Sequence, residues 1–404
     1  MYSHYTGDGC GSHYVLYSST FGWKLEYSVG KYMYRAELRI SSLSLQGRPP
    51  TAMDITTSLL LCAVFMICTT LYLRPVFRTP VPSRSAVLVT GTSSGIGRAI
   101  ALGLAAAGFK RVFCGVRRAQ DAPIEYMACV PVILDVTSSE SILAAAEAVK
   151  KSAASDGCDL VGIVMNAGVA AMGPLETVNL DIVRHAFEVN VFGLLAVVRT
   201  FLPMLRASKG RIVLIGSEAG MISPVFYGAY AATKHAVEAI ADSLRAELLP
   251  QGSSVSLLQV GAVATRIEEK MKEQLAEAVT PATTTQSSGA PFDAHASMTR
   301  RVYSMSDIGS SSEGASSVAV YEERLRAFVR LFDMTVRSGL LPPATAPVGA
   351  CVHALTSPRP RARYLVGAEA WAVWAVLRSM PSHVVDAAML LLFPSRRRKW
   401  SLFF

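Results

Sequence analysis

Charge is scarce in this chain: Asp, Glu, Lys and Arg make up only 17% of its 404 residues, whereas 51% are hydrophobic. A freely soluble protein seldom has so apolar a composition, and a membrane contact is the expectation. Paired cysteines are lacking too. Cys10, Cys62, Cys68, Cys114, Cys129, Cys158 and Cys351 include no C-x-x-C spacing, which argues against a zinc site or a disulfide framework and leaves them as buried or free thiols with no metal expected. Nucleic-acid motifs are absent as well. The formal charge is +9, but apart from one tail run the basic residues are scattered, so anionic lipid or phosphate is a better partner than nucleic acid.

The length suits one catalytic domain with attachments. Residues 1–52, rich in Tyr, Ser and Gly, show no sustained period of 3.6 or 2 and are expected to be a weakly ordered extension. Met53 stands immediately before the next element, so this stretch also reads as a gene-model extension. From Ile55 to Leu73 no residue is charged, and at the rise of a helix this run spans about 28 Å, close to a hydrocarbon core. A transmembrane or signal-anchor helix is therefore expected within 53–77. A cleaved signal peptide is the alternative, but no small-residue cleavage site is evident. Arg74, Arg78 and Arg84 follow the run and would place the catalytic part in the cytoplasm; Arg35, Arg39 and Arg48 precede it and weaken that assignment unless translation starts at Met53.

After a Pro-containing linker, short β-rich runs alternate with helical patterns, as in an α/β doubly wound parallel sheet of Rossmann type with helices on both faces, spanning 84–395. Strands are predicted at 86–90, 111–116, 131–136, 160–167, 211–217 and 254–260, nearly all apolar and so buried on both faces. IGRAIALGLAAAG and SILAAAEAVKKSAA have helical spacing and end at Gly108 and near Gly157. Residues 280–317, rich in Ser, Thr and Ala, read as a flexible insertion, and a helix is predicted from 318 to Gly339. The C-terminal apolar segments with the basic tail at 396–404 suit either a membrane surface or a core-packed helix with a solvated tail.

Gly91, Gly95 and Gly97 in VLVTGTSSGIGRAIALGLA fall at a strand-to-helix turn, where glycine permits a tight turn and close approach of backbone N–H groups to a pyrophosphate. TGTSSGIG resembles the cofactor loop of the short-chain dehydrogenase/reductase family, and further family-like motifs follow in order. The likeness covers roughly 84–270 well and 318–395 more loosely. It implies a nicotinamide cofactor held by Gly91, Ser93, Ser94, Gly95, Ile96 and Gly97. By the same likeness, Asn166-Ala167-Gly168 is the turn after the fourth strand, Asp135 contacts the adenine, and Asn190 holds a water in a proton relay.

Ser217 is followed thirteen residues later by Tyr230, with Lys234 four residues on. Four residues apart on a helix, Tyr230 and Lys234 share one face. A phenol is a poor base at neutral pH, and a nearby ammonium ion favours its ionised form. Ser217 would donate a hydrogen bond to a carbonyl oxygen as charge develops there. The resemblance implies that Tyr230 passes the proton and that Lys234 also holds the nicotinamide ribose. Tyr227 is excluded from this role because Ala231 stands four residues on.

Arg117 and Arg118 follow the second strand where an NAD enzyme would carry a carboxylate, and a guanidinium there suits a 2′-phosphate, so NADP is favoured over NAD. The Lys or Arg that some NADP-preferring relatives carry before the glycine motif is missing, and the family's Pro-Gly after the sixth strand is here Val260-Gly261. Thr265 stands where the family uses a hydroxyl near the nicotinamide amide and phosphates. The C-terminal segment YEERLRAFVRLF, then ALTSPRPRARYLVG, resembles the membrane-associated branch acting on retinoids, steroids and hydroxybutyrate-like acids. That likeness implies a lipophilic secondary alcohol or ketone as substrate, and a single-pass protein of the endoplasmic reticulum or another endomembrane. A 3-hydroxy acid is the runner-up, with Arg266 the nearest cation for its carboxylate. A non-catalytic, membrane-tethered scaffold is the reading from another class. A homo-oligomer is a family expectation.

Overall fold

The computed structural model describes residues 81, 83–265, 270–271, 273–275, 312–338, 341–375, 380–381 and 383–386, and three strands nearer the N-terminus. The apolar run Ile55–Leu73, residues 280–311, the tail at 396–404 and Arg266 lie outside the described residues. The chain divides into two units, Met1–Pro75 and Val76–Phe404.

In the first unit β1 (Gly11–Ser18), β2 (Trp23–Gly30) and β3 (Arg39–Ser42) form an antiparallel sheet in the order β1-β2-β3. Strands thus occur where no sustained period was expected. Their signal lies in β2, where Trp23, Leu25, Tyr27 and Val29 alternate with Lys24, Glu26 and Ser28, a period of two confined to eight residues.

The second unit runs β4 (Ser85–Thr90), α1 (Gly95–Ala106), β5 (Arg111–Val116), β6 (Cys129–Ile133), α2 (Ser139–Ser155), β7 (Asp159–Met165), α3 (Leu180–Phe187), α4 (Leu194–Ala207), β8 (Arg211–Ile215), α5 (Gly228–Leu248), β9 (Ser254–Val260), α6 (Ser312–Arg337), α7 (Val348–Thr356), β10 (Arg363–Val366) and α8 (Ala368–Ala375). Seven strands form one parallel sheet in the order β10-β9-β8-β7-β4-β5-β6. The six predicted strands are all present. The third ends at Ile133 rather than 136 and lies at the sheet edge, where Pro131 interrupts fewer ladder bonds than it would inside. β10 went unpredicted: four residues after a Pro- and Arg-rich stretch carry little periodicity, and only pairing with β9 makes them a strand. Helix α6 begins at Ser312, inside the segment expected to be a flexible insertion.

Alternate residues of β4 feed the two faces. Leu88 joins Phe113, Ile163 and Leu214 beneath α2, α4 and α5, while Val87 and Val89 join Val213 and Leu258 beneath α1 and α7. α3 and α4 form one run, Leu180–Ala207, interrupted by a π-helical turn at Glu188–Gly193. Among the described residues this run alone is long and apolar enough to cross a membrane, and half of its most apolar stretch is buried in the unit's core.

Phe201, at 0% exposure on α4, is among the largest side chains enclosed by that core. Phe201→Ala should therefore cost about 3–5 kcal/mol of stability. Denaturant unfolding should show a lowered midpoint with an unchanged slope.

Candidate active site

From β4 the chain winds outward through β5 and β6, then returns past β4 to β7, so the sheet order reverses between β4 and β7. At such a switch point the loops leaving the two strands diverge and open a crevice. A cavity of about 330 Å³ lies there.

Its floor is a knot between the ends of β4 and β7. Thr90 Oγ1 accepts from the N–H groups of Asn166 and Ala167, each at 3.0 Å, and Asn166 Nδ2 donates to the carbonyls of Thr90 and Gly91, each at 3.0 Å. Gly91 has φ +69°, and a Cβ there would stand 2.9 Å from Ala167 Cα. A Cβ on Gly97 would stand 2.2 Å from Gly91 O and 2.3 Å from Asn166 Nδ2. Bare backbone at the N-terminus of α1 therefore faces the cavity together with Ser93, Ser94, Gly95 and Ile96. This cradle fits a pyrophosphate, whose charge the first-turn N–H groups and the helix dipole would meet.

At one end of the cavity stand Arg117 and Asp135. Asp135 Oδ1 accepts from Thr137 N at 2.9 Å and from Thr137 Oγ1 at 2.7 Å. Burial pushes its pKa up, but these bonds and the positive charges of Arg117 and His185 outweigh it and hold the carboxyl below its ordinary range. Arg118 is placed differently from expectation. It bonds Asp121 at 2.8 and 3.4 Å, its side chain is 70% exposed, and it is not part of the cavity wall. Residues 119–121 form a short helical turn just after it, which brings Asp121 within reach three residues on.

At the other end, Ser217 follows β8 in extended conformation and accepts from Ala219 N at 3.2 Å. Tyr230 and Lys234 lie one turn apart on α5, 6% and 7% exposed. Lys234 Nζ donates to the Ile215 carbonyl at 3.0 Å and lies 5.7 Å from the centre of the Tyr230 ring. Burial pushes the Lys234 ammonium down to about 8. Gly168 and Thr265 also line the cavity, and a Cβ on Gly95 would touch Thr265 Cβ at 3.3 Å.

Asn190 sits in the π-helical turn, where a widened turn redirects side chains. Its Oδ1 accepts from Val169 N at 2.8 Å, and its Nδ2 donates to Val169 O at 2.9 Å and to Thr233 Oγ1 at 3.0 Å. The side chain thus ties the loop after β7 to α5 behind the cavity rather than facing into it. Among the wall residues not anticipated are His185, Lys270, Met271, Phe332 and Tyr227. Tyr227 was set aside as a base, but its ring lies edge-on to Tyr230 at 6.4 Å. The spacing of Phe328 and Phe332 on α6 and the run of Phe226, Tyr227 and Tyr230 are local signs that aromatic rings gather here.

Comparison with known proteins shows what the chain is similar to. The family model described as short chain dehydrogenase matches residues 85–276. The uncharacterized oxidoreductase YbbO of Escherichia coli K12 is 40% identical over 192 residues, covering 47% of this chain and 70% of that protein. Retinol dehydrogenase 16 of Mus musculus is 30% identical over 310 residues, covering 75% of this chain and 87% of its own. Among solved structures, a short chain dehydrogenase from Burkholderia cenocepacia in complex with NADP aligns with a TM-score of 0.54 at 20% identity, over 77% of this chain and 99% of that one.

Gly97→Ala should weaken NADPH binding by about tenfold or more, because the added methyl meets backbone and a pinned amide rather than a mobile side chain; fluorescence titration of NADPH measures it. Lys234 carries a pH signature. Its pKa falls from 10.5 unfolded to about 8 folded, so between those values the unfolded chain binds more protons and stability rises with pH. Relative to Lys234→Met, the unliganded wild-type chain should gain stability from pH 8 to 10.5. Parallel stability–pH curves for the two proteins would contradict this.

Proposed function

Because the chain belongs to the short-chain dehydrogenase family, oxidoreductases that act on alcohol or keto groups with NAD or NADP, we propose a specific reaction for it. Hydride passes between NADP, in preference to NAD, and a lipophilic alcohol or carbonyl compound, either the secondary alcohol or ketone of a steroid or keto-lipid or the primary alcohol or aldehyde of a retinoid, with Ser217, Tyr230 and Lys234 as catalytic residues.

The observation that carries this reading is the meeting, in one cavity, of Ser217 from the end of β8 with the buried Tyr230–Lys234 pair of α5. A bound nicotinamide supplies or accepts the hydride. In the reducing direction the Ser217 hydroxyl donates to the substrate oxygen, where negative charge builds, and the Tyr230 phenol delivers a proton to that oxygen. The Lys234 ammonium lies close enough to lower the cost of the phenolate left behind. Burial of the pair strengthens that interaction by keeping water out. Asn190, bonded to Val169 and Thr233, holds the loop after β7 and α5 at a constant separation.

Arg117 supports the preference for NADP: a guanidinium in the cavity wall beside Asp135 suits a 2′-phosphate. Tyr227, Met271 and Phe332 give the catalytic end an apolar wall, which favours a lipophilic substrate, and retinol dehydrogenase 16 is a relative whose name specifies one. The uncharged run Ile55–Leu73 would anchor the chain in a bilayer, where lipophilic compounds concentrate. A 3-hydroxy acid is a second reading, favoured by Lys270 in the same wall as the cation for a carboxylate.

The test uses the full chain in detergent, with NADPH and NADH against retinal, steroid ketones, 3-keto lipids and acetoacetate. Retinal, steroid or keto-lipid turnover is expected, with NADPH preferred. Tyr230→Phe should lower kcat on the order of 10²–10⁴-fold, and Arg117→Ala should erode the NADPH preference by about tenfold. Undiminished turnover in Tyr230→Phe would refute the mechanism. Turnover of acetoacetate alone, abolished in Lys270→Ala, would transfer the assignment to the second reading.

A further inference from the structure

Phe226 occupies a backbone conformation that its side chain does not favour. Its φ is +68°, in the left-handed region, although it carries a bulky ring and is 6% exposed. It stands two residues before the start of α5 and four before Tyr230. Strain of this kind persists only where the surroundings over-determine the conformation, and two contacts to separate parts of the chain do so here.

The first contact is to the loop after β7. Gly173 N donates to the Phe226 carbonyl at 2.9 Å, an alignment that depends on the turned peptide. The second is to α6. The Phe328 ring meets the Phe226 ring edge-on, with centres 5.6 Å apart and planes at 86°. Phe328 also contacts Tyr227 at 5.8 Å, and Tyr227 in turn contacts Tyr230. One ring of α6 therefore touches both residues that lead into the catalytic helix. The same helix is moored to the same loop by Tyr321, whose hydroxyl donates to Glu176 at 2.7 Å. Next along α6, Phe332 lies in the cavity wall, so whatever fills the apolar end of the cavity presses on the helix that holds Phe226.

We propose that Phe226 is a positioning residue: its left-handed turn, held closed by Phe328 of α6 and by Gly173, is a latch that places Tyr230 in register when α6 is seated over the substrate. The function of the latch rests on the catalytic reading of Tyr230, whereas its mechanics do not. With α6 unseated, the Phe328 ring withdraws and the junction at 226–228 relaxes toward an ordinary turn. The first turn of α5, closed by the bond from Ala231 N to Tyr227 O at 2.7 Å, then loses its fixed direction.

The experiment combines amide hydrogen exchange with steady-state kinetics on the full chain in detergent with NADPH, using Phe328→Ala, Phe226→Gly and the double variant. Glycine accepts the left-handed turn without strain, so Phe226→Gly removes the ring contact while leaving the turn permitted. Without substrate, Phe328→Ala should speed exchange of the amides at 227–231 by about tenfold while those of β4 and β7 keep their rates. Retinal is the kinetic probe, or the fastest panel ketone where retinal is not turned over. Each single variant should lose about ten- to a hundredfold in kcat with a smaller change in KM, and the pH profile of kcat should move. The double variant should be no worse than Phe328→Ala alone, because that change already removes the Phe226–Phe328 contact together with the one to Tyr227. Unchanged exchange at 227–231, wild-type kcat in Phe226→Gly, or fully additive losses would overturn the latch. Exchange that responds as expected while Tyr230→Phe keeps full turnover would overturn only the catalytic reading on which its function depends.

Discussion

At the ends of β4 and β7 two stretches of backbone pass so close that no Cβ fits between them. Asn166 bridges the gap by donating both amide hydrogens to the carbonyls of Thr90 and Gly91, and Thr90 returns the favour by accepting two backbone N–H groups. This contact closes the sheet at the place where its strand order reverses, satisfies buried backbone groups that would otherwise be stranded, and leaves the start of α1 bare. A Cβ at Gly97 would collide with both partners of the bridge, so sheet closure and anion cradle are one constraint.

From that fixed point the cavity runs between two electrostatic environments. One end holds Arg117 and a carboxyl, Asp135, whose ionised form is favoured by hydrogen bonds and neighbouring positive charge. The other end is close to dry. Lys234 is buried there, with its ammonium pushed down to about 8, and it has a carbonyl rather than a carboxylate as its hydrogen-bond partner. A buried cation answered by a carbonyl dipole and an aromatic ring rather than by a carboxylate is costly by itself, and such a group is suited to stabilising negative charge that appears during a reaction. The aromatic side chains of α6 and of the turn before α5 form the apolar boundary of this end.

Much of this was legible in the residues themselves, wherever the physics is local. β4, β5, β7, β8 and β9 are continuous apolar runs because they are buried on both faces, and their order along the chain reveals a parallel sheet. The helical spacing of Tyr230 and Lys234 puts them on one face whatever surrounds them. The strands of the first unit, β10 and the early start of α6 escaped notice because in each the periodic signal is short or diluted by polar neighbours, and β10 is completed only by pairing with the distant β9.

By itself, then, the sequence determined six strands of the parallel sheet, the glycine turn and the shared helical face of Tyr230 and Lys234, since these follow from periodicity, backbone freedom or spacing within one segment, whereas Ser217 joined that pair through the family resemblance. Tertiary structure alone decided which of two adjacent arginines faces the cavity. Arg117 does, while Arg118 turns to Asp121. It also decided that the Asn190 side chain ties α5 to the loop after β7, because a π-helical turn rotates it there. Phe226 belongs with these: nothing in its neighbours along the chain indicates a left-handed backbone, which arises where a loop 53 residues upstream and a helix about 100 residues downstream converge on one ring and one carbonyl. Contacts across such separations depend on how the sheet brings segments together, and that is a property of the folded chain rather than of any stretch of it.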